Sequence, residues 1–385
     1  MNTPTNSQDA TREPLSTLFL RFLRFGFLAW GGPVAQIAMI RQELVEEEGW
    51  ISRERFNRVL AVYQVLPGPE AHELCVYFGM LAHGRVGAIL AGLGFMLPGF
   101  VLMFILSWFY VTYGIGSPIF AAIFYGFQPA VTALIVRAVH RIGSHALTDR
   151  WLWFIAVAAG VLQWIGVNFV LTLALAGTTY FVIKKQTPVG GVNVLAPMGL
   201  LFFMTIATVP SLIALFGYGL RSGLLTFGGA YTVIPFLQHD AVVVGGWMTN
   251  EQFLDGLALS SILPAPLIIF STFVGYLGGG PWGAVALTAG IFLPAFAFTL
   301  IGHTFFERLV ENKSTHAFLD GVTAAVVGLI AATSYDLFKS AITDVPAVVL
   351  FLLSLVVLYR WNAKAAVAVV VLGAGVLGWA VSLVA

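Results

Sequence analysis

The sequence predicts an all-α polytopic membrane protein with two inverted-topology repeats, joined by a linker helix and containing broken or re-entrant helices. Composition is the first reason. Of 385 residues, 59% are hydrophobic and 10% charged, with a mean hydropathy of +0.90, whereas soluble domains carry about 25% charged residues. Three stretches without Asp, Glu, Lys or Arg, at 86–136, 151–183 and 186–220, each exceed the roughly 20 residues that cross a hydrocarbon core.

An internal repeat is the second reason. Residues 23–69 align with residues 220–266, an offset of 197, with 17 identities in 47 positions and no gap. The matched residues include Gly31-Gly32, which fall on Gly228-Gly229. An ungapped match of this length inside one chain is typical of a duplicated unit.

The duplication divides the chain into four parts. They are a polar N-terminal tail at 1–14, a first transmembrane repeat at 15–185, a linker with a connecting helix at 186–218, and a second, inverted repeat at 219–385. Each repeat contains six apolar segments. They cover about 15–40, 54–80, 85–112, 118–138, 151–165 and 166–184 in the first repeat, and about 219–238, 251–277, 281–306, 316–338, 345–359 and 363–384 in the second, with the linker helix at about 196–217. Six segments return the chain to its starting side, so one linker helix places the second repeat upside down.

The charges of equivalent loops favour this inversion. The loop at 41–55 contains three arginines, whereas its partner at 238–252 contains neither Lys nor Arg. The asymmetry reverses at 113–118, which is uncharged while its partner carries Arg308 and Lys313. Because cytoplasmic loops are enriched in Lys and Arg, we expect equivalent loops on opposite sides of the membrane.

The first two segments of each repeat are expected to enter and leave the membrane on one side. With such re-entrant hairpins, 16 of the 19 Lys and Arg residues lie inside, and with full spans the number falls to 12. The sequence leaves both arrangements open, and the charge count favours broken or re-entrant segments.

Breaks rich in Gly and Pro interrupt these segments in both repeats. Irregular backbone at membrane depth is tolerated where it lines a wet cavity or is buried in protein. A helix that restarts after a break directs free N–H groups at the gap, which favours an anion. The predicted substrate-binding residues at the breaks are Gly31, Gly32, Pro33, Pro67, Gly68 and Pro69 in the first repeat, and Gly228, Gly229, Pro264 and Pro266 in the second. The alternative is that these residues only shape tight helix packing.

Arg24 and Arg221 occupy equivalent positions shortly before the Gly-Gly pairs. A charged residue inside a membrane segment is costly and indicates a functional site. The guanidinium fork donates to two oxygens at once, which suits a tetrahedral oxyanion. We therefore predict both as substrate-binding residues, with snorkelling to the lipid headgroups as the alternative.

A titratable cluster, Glu70, His72 and Glu73, follows the second break, and the matching stretch of the second repeat has no ionisable group. Groups of this kind at membrane depth couple proton movement to transport. The alternative places them at the wet end of a hairpin. Gln36 and Gln64 are further candidates for binding the substrate, although bonding between helices explains them equally well.

Several classes of function and partner are not expected. No Walker-type GxxxxGK[ST] motif occurs, which argues against ATP hydrolysis, and the single Cys75 excludes a thiolate-rich metal site. We expect no cofactor, no metal and no nucleic-acid partner. The polar N-terminus does not predict a cleaved signal peptide. An enzyme built on Glu70, His72 and Glu73 is disfavoured because the other histidines are scattered along the chain.

The stretch from Phe25 to Pro69, with its Phe-Gly, Gly-Gly-Pro, Gly-Trp-Ile-Ser and Leu-Pro-Gly-Pro motifs, resembles the chromate ion transporter family. The repeat, with Phe227-Gly228-Gly229 and Gly246-Trp247-Met248-Thr249, resembles the second half of the long, two-unit members. One departure is Ala265, where a Pro-Gly-Pro glycine is common.

The resemblance implies a multi-pass transporter of the bacterial inner membrane that exports chromate dianion and confers chromate resistance. It implies sulfate as a competing ligand, with sulfate or another oxyanion as the alternative substrate. Membrane potential alone favours export of a dianion from a negative interior, and proton exchange and a homodimer remain open at this stage.

Overall fold

The computed structural model describes residues 13–114, 116–184, 211–227, 229–310, 313–361, 363 and 365–383. Every regular element in these ranges is helical, which confirms the all-α class. Most of the N-terminal tail and most of the expected connecting helix lie outside the described residues.

Seven helices, α1 to α7, precede the linker, and seven more, α8 to α14, follow it in the described ranges. The first group is α1 Leu15–Phe27, α2 Gly32–Arg41, α3 Arg53–Val65, α4 Glu70–Phe109, α5 Pro118–Ala146, α6 Arg150–Trp164 and α7 Phe169–Lys184. The second is α8 Leu212–Leu224, α9 Ile234–Gln238, α10 Asn250–Ser261, α11 Phe270–Val310, α12 Lys313–Ala341, α13 Val345–Arg360 and α14 Ala366–Ser382. A 3₁₀ turn, Ala230–Val233, leads into α9, and a π-helical segment, His239–Val244, follows it.

The helices interrupt where the sequence places Gly and Pro. The expected segment at 15–40 is two helices separated by 28–31, and the segment at 54–80 breaks at 66–69. Helix α4 is itself sharply kinked at His83 and Gly84, which have non-helical backbone angles. Helix α8 begins at Leu212, earlier than the expected segment, because the Ser211 hydroxyl caps it by accepting from the Ala214 N–H.

Side-chain contacts show that the chain folds back at both breaks of the first half. Arg24 of α1 pairs with Glu43, just after α2. Likewise the Arg55 Nε of α3 donates to the Tyr77 hydroxyl of α4 at 3.0 Å. Each pair spans a break, so the breaks lie at the tips of folded-back helix pairs and the charged loop lies at their base.

The two halves interlock through their long helices. Helix α5 packs against α13 and α14, whereas α12 packs against α6 and α7. Glycines permit the close approach, because a Cβ at Gly126 would lie 2.0 Å from the carbonyl oxygen of Ala374 and one at Gly328 would lie 1.9 Å from that of Ala156. Helices α4 and α11 also pack together, so the contact between the halves is continuous.

Four helical stretches in the described part of the chain are long and apolar enough to cross a membrane. They are Glu70–Gly114, Pro118–Ala146, Leu267–Ile301 and His316–Ala341. The shorter helices of the described ranges, such as α13 and α14, are apolar as well. These lengths agree with a multi-pass membrane protein.

Candidate functional site

The first break is held open by two glycines in the left-handed region. Gly31 has φ 89° and Gly32 has φ 78°, a conformation that glycine adopts at little cost. Pro33 follows in the first turn of α2, where its missing N–H is unimportant. The Gln36 Nε2 donates to the carbonyl oxygen of Ala29 at 2.9 Å and closes the loop from inside. The free N–H groups that begin α2 therefore face the gap.

The second break joins the two halves of the chain. Pro67, Gly68 and Pro69 are buried, and the Gly68 N–H donates to the carbonyl oxygen of Thr226 at 3.0 Å. Gly68 has φ 153°, and a Cβ there would lie 2.9 Å from Glu73 Oε1. Thr226 lies at the first break of the second repeat, so this hydrogen bond joins the second break of the first repeat to the first break of the second.

A cavity of about 540 Å³ lies beside these breaks. Three groups of residues line it: the helix ends that flank the breaks of the first half, the residues that follow Thr226, and the facing ends of α5 and α12. The lining residues are Pro33, Val34, Gln64, Glu70, Ala138, Arg141, Ile142, His145, Ala146, Thr148, Phe227, Gly229, Ala230, Tyr231, His316, Leu319, Asp320 and Thr323. The cavity thus contains backbone from both repeats.

The charged side chains of the cavity come mainly from the two long helices. Arg141 and His145 lie on α5, and His316 and Asp320 lie on α12. Arg141, His145 and Asp320 are exposed, so the cavity reaches the surface of the protein. The guanidinium of Arg141 and the imidazoles of His145 and His316 can donate hydrogen bonds to an anion, as can the N–H groups at the starts of α2 and α4.

Glu70 is the acidic group at the first turn of α4. It lines the cavity, and its Oε2 is buried without a hydrogen-bond partner. Its charged form would repel an anion bound at Arg141, and its protonated form would donate to one. The charge state of Glu70 would therefore affect how strongly this cavity holds an anion.

His72 and Glu73 lie deeper and are fully buried. Neither the ring nitrogens of His72 nor the carboxylate oxygens of Glu73 have a hydrogen-bond partner. The His72 ring lies edge-on to Phe292 and Phe296, with centroids 5.0 and 4.8 Å away. Unpartnered buried polar groups are costly, which is consistent with a functional role next to the Gly68 break.

The structure brings Pro33, Gln64, Glu70 and Gly229 together in the cavity, and it places the two predicted arginines elsewhere. Arg24 pairs with Glu43, and Arg221 pairs with Asp240. Both pairs span 19 residues, so the same ion pair occurs in each repeat. The first is partly exposed, whereas Arg221 and Asp240 are buried, with side-chain exposures of 8% and 1%.

Pro264 and Pro266 are buried away from the cavity lining. The methyl group of Ala265 between them packs on Gly99 of α4, where a Cβ would lie only 2.5 Å from it. The departure to Ala265 therefore has a packing reason, since Gly99 leaves room for the methyl group. Gly228 lies outside the described residues.

Sequence reasoning did not identify Arg141, His145, His316 and Asp320 as site residues. Their signal was weak because each lies near a segment end, where a charged residue is unremarkable. Their common feature is that they lie on the fourth segments of the two repeats, which face each other. Among the described side chains, no group of three or more His, Cys, Asp or Glu could hold a metal ion.

Comparison with known proteins gives consistent results. The sequence model of the family described as "Chromate transporter" matches residues 16–181 and again 213–379, so one unit matches both halves. A "Chromate transport protein" of Pseudomonas aeruginosa is 54% identical, covering 98% of this chain and 96% of the relative. A protein of the same description from Cupriavidus metallidurans is 32% identical over 94% and 92%. A "Probable chromate transport protein" of Synechococcus elongatus is 30% identical over 95% and 96%. No solved structure matches the chain.

Proposed function

Because this chain belongs to the chromate transporter family, we propose that it is a secondary transporter that exports chromate dianion from the cytoplasm. The descriptions of the family and of its relatives name transport, which supports this proposal. The multi-pass bacterial membrane protein would lie in the inner membrane and confer chromate resistance.

One observation carries the proposal: a single cavity is lined by residues at or beside the breaks of both repeats and by the charged ends of α5 and α12. Secondary transporters with inverted repeats bind their substrates at such broken helices near the repeat interface. The N–H groups at the start of α2 and the guanidinium of Arg141 supply the donors for a tetrahedral dianion.

In this proposal the cavity opens to the cytoplasm. Positive residues concentrate on the cytoplasmic side of membrane proteins, and the open end of the cavity carries Arg141, with Arg150 at the start of the next helix. Chromate would enter between α5 and α12 and reach the tips of the folded-back helix pairs. The negative interior then drives the dianion outward by about 2.3 kcal/mol per charge for each 100 mV.

The predicted site residues take distinct roles in this arrangement. Pro33, Gln64, Glu70 and Gly229 line the binding cavity, and the charge state of Glu70 sets how strongly the anion binds. The remaining described residues at or beside the breaks, Gly31, Gly32, Gln36, Pro67, Gly68, Pro69, Pro264 and Pro266, shape the loops behind them. His72 and Glu73 extend the proton pathway, while Arg24 and Arg221 contribute through the helix pairs that they hold together.

Sulfate has the same charge and tetrahedral shape as chromate, so it would compete for these donors. The test is uptake of radiolabelled chromate by everted membrane vesicles that contain the protein, at imposed interior-positive potentials, with and without excess sulfate. We expect accumulation that grows with potential. Uptake of sulfate without uptake of chromate would show that sulfate, and not chromate, is the substrate. Uptake no higher than that of empty vesicles would reject export.

A pair of variants tests the cavity itself. Arg141→Gln removes the guanidinium from the cavity and should raise the KM for chromate about ten-fold or more, the effect of losing one charge-assisted hydrogen bond. Arg150→Gln is the matched control, because Arg150 is exposed and does not line the cavity. An unchanged KM for Arg141→Gln would reject the cavity as the binding site.

A further inference from the structure

A second buried carboxylate, Asp255 of α10, lies between the two repeats. Its Oδ2 accepts a hydrogen bond of 2.7 Å from the Tyr110 hydroxyl, and its Oδ1 accepts one of 2.9 Å from the Gln128 Nε2. Asp255 is 6% exposed and Tyr110 is 5% exposed. Both donors belong to the first repeat and the acceptor belongs to the second, so these bonds hold the repeats together.

These bonds lie away from the cavity along α5. The cavity uses the end of α5 from Ala138 to Ala146, and Gln128 lies about 15 Å nearer the other end at a rise of 1.5 Å per residue. Tyr110 follows the end of α4, just before the chain enters α5. The Asp255 network therefore lies toward the opposite side of the membrane from the open end of the cavity.

Equivalent positions of α3 and α10 differ in exposure. This difference is the one expected when one side of the transporter is open and the other is closed. Asp255 corresponds to Arg58 at the offset of 197, and Arg58 is exposed. Throughout 253–260, α10 is buried, whereas α3 presents several exposed residues between 53 and 64. The side of the protein at α3 is therefore the more open one, and the side at α10 is the closed one.

Within the part of the chain that the structure describes, no cation acts on Asp255 to balance its charge. The titratable groups that act on it are Tyr110, from the end of α4, and Glu251, on α10 itself. Helix α5 presents the neutral amide of Gln128, and α11, α12 and α14, which also pack against α10, contribute no charged group in the described ranges. The charged carboxylate thus depends on the two donors of the first repeat.

We propose that Asp255, Tyr110 and Gln128 form the external gate of the transporter, opened by a proton from outside. Protonation of Asp255 places a hydrogen on one oxygen, so that oxygen no longer accepts well, and the cross-repeat bonding weakens. In this scheme the outward-open state takes its proton from the outer solution, and Asp255 releases that proton to the cytoplasmic side before the bonds to Tyr110 and Gln128 form again in the inward-open state. The proton moves in as the anion moves out. This gate rests on the proposed export of chromate.

The test uses the full chain in proteoliposomes, with radiolabelled chromate on one side and a pH-sensitive dye trapped inside. Chromate flux and chromate-dependent proton flux are measured together while the potential is clamped at zero. For the unaltered protein we expect protons to move opposite to chromate. In Asp255→Asn we expect chromate to move down its own gradient while chromate-dependent proton movement falls to the level of protein-free liposomes.

Tyr110→Phe provides a second variant that keeps the carboxylate. With one donor lost, the charged form is less favoured, so the pH midpoint of coupled flux should move up by about one to two pH units. Glu54→Gln is the control, since Glu54 is an exposed carboxylate on the equivalent helix α3. Its fluxes should equal those of the unaltered protein.

The possible outcomes separate the gate from export. Coupled proton flux that persists in Asp255→Asn overturns the gate, as does chromate flux without proton movement in the unaltered protein, and both leave export intact. If the pH midpoint of coupled flux is the same in Tyr110→Phe as in the unaltered protein, the hydrogen-bond mechanism is overturned. Absence of chromate flux in the unaltered protein rejects export together with the gate.

Discussion

The backbone N–H of Gly68 donates a 3.0 Å hydrogen bond to the carbonyl oxygen of Thr226. The two residues lie at breaks in different repeats, and the bond joins the tips of two folded-back helix pairs. Gly68 also lies against the Glu73 carboxylate. The hydrogen bond between Gly68 and Thr226 therefore lies next to a buried acid at the contact between the two repeats.

Gly68→Ala should abolish transport while protein remains in the membrane. The added Cβ would lie 2.9 Å from Glu73 Oε1, and φ 153° disfavours any side chain. The measurement is chromate uptake per molecule of protein in everted vesicles. Ala265→Gly, at the equivalent position of the second repeat, is the control and should retain transport. Full transport by Gly68→Ala would show that the break tolerates a side chain.

Gly99→Ala should destabilise the protein, because its Cβ would lie 2.5 Å from the methyl group of Ala265. Overpacking of this kind costs about 1–3 kcal/mol. The double variant Gly99→Ala with Ala265→Gly should recover most of the loss, since it moves the methyl group across the contact. Thermal unfolding in detergent measures both, and a double variant no more stable than Gly99→Ala would contradict the packing explanation.

Arg221→Ala should lower stability strongly, since removing one partner of a buried ion pair costs about 3–5 kcal/mol. Arg24→Ala should cost less, about 1 kcal/mol, because the Arg24 side chain in its pair with Glu43 is more than half exposed. Protein amount in the membrane and transport per molecule are the two readouts. Asp240→Asn separates the roles of Arg221. A loss of protein like that of Arg221→Ala indicates that the ion pair is structural. Tighter chromate binding indicates that Arg221, freed from Asp240, binds the anion.

Glu70→Gln should change the pH dependence of transport. In the unaltered protein a charged Glu70 repels the dianion, so the KM for chromate should rise as the pH increases. Removing the charge should flatten this rise. Glu47→Gln, in the exposed charged loop, is the control. A profile unchanged in Glu70→Gln would argue against proton linkage at this residue.

Much of the fold follows from local features of the sequence. Long uncharged stretches locate the helices of the described ranges, and Gly31-Gly32 and Pro67-Gly68-Pro69 locate their breaks, because loss of backbone hydrogen bonds and positive φ are properties of a few adjacent residues. The duplication could also be predicted from the sequence, and the same family model matches both halves.

The tertiary structure alone decided which of these features meet. Arg141 of α5 and His316 of α12 join one cavity, and Asp255 finds Tyr110 and Gln128, residues 145 and 127 positions away. Arg24 and Arg221 likewise pair with carboxylates that their own apolar segments do not reveal. The physical reason is that a polar side chain takes its partner from the segment that packs beside it. For Asp255 that packing is the contact of two whole repeats, and for Arg24 and Arg221 it is the folding back of the chain over 19 residues within one repeat.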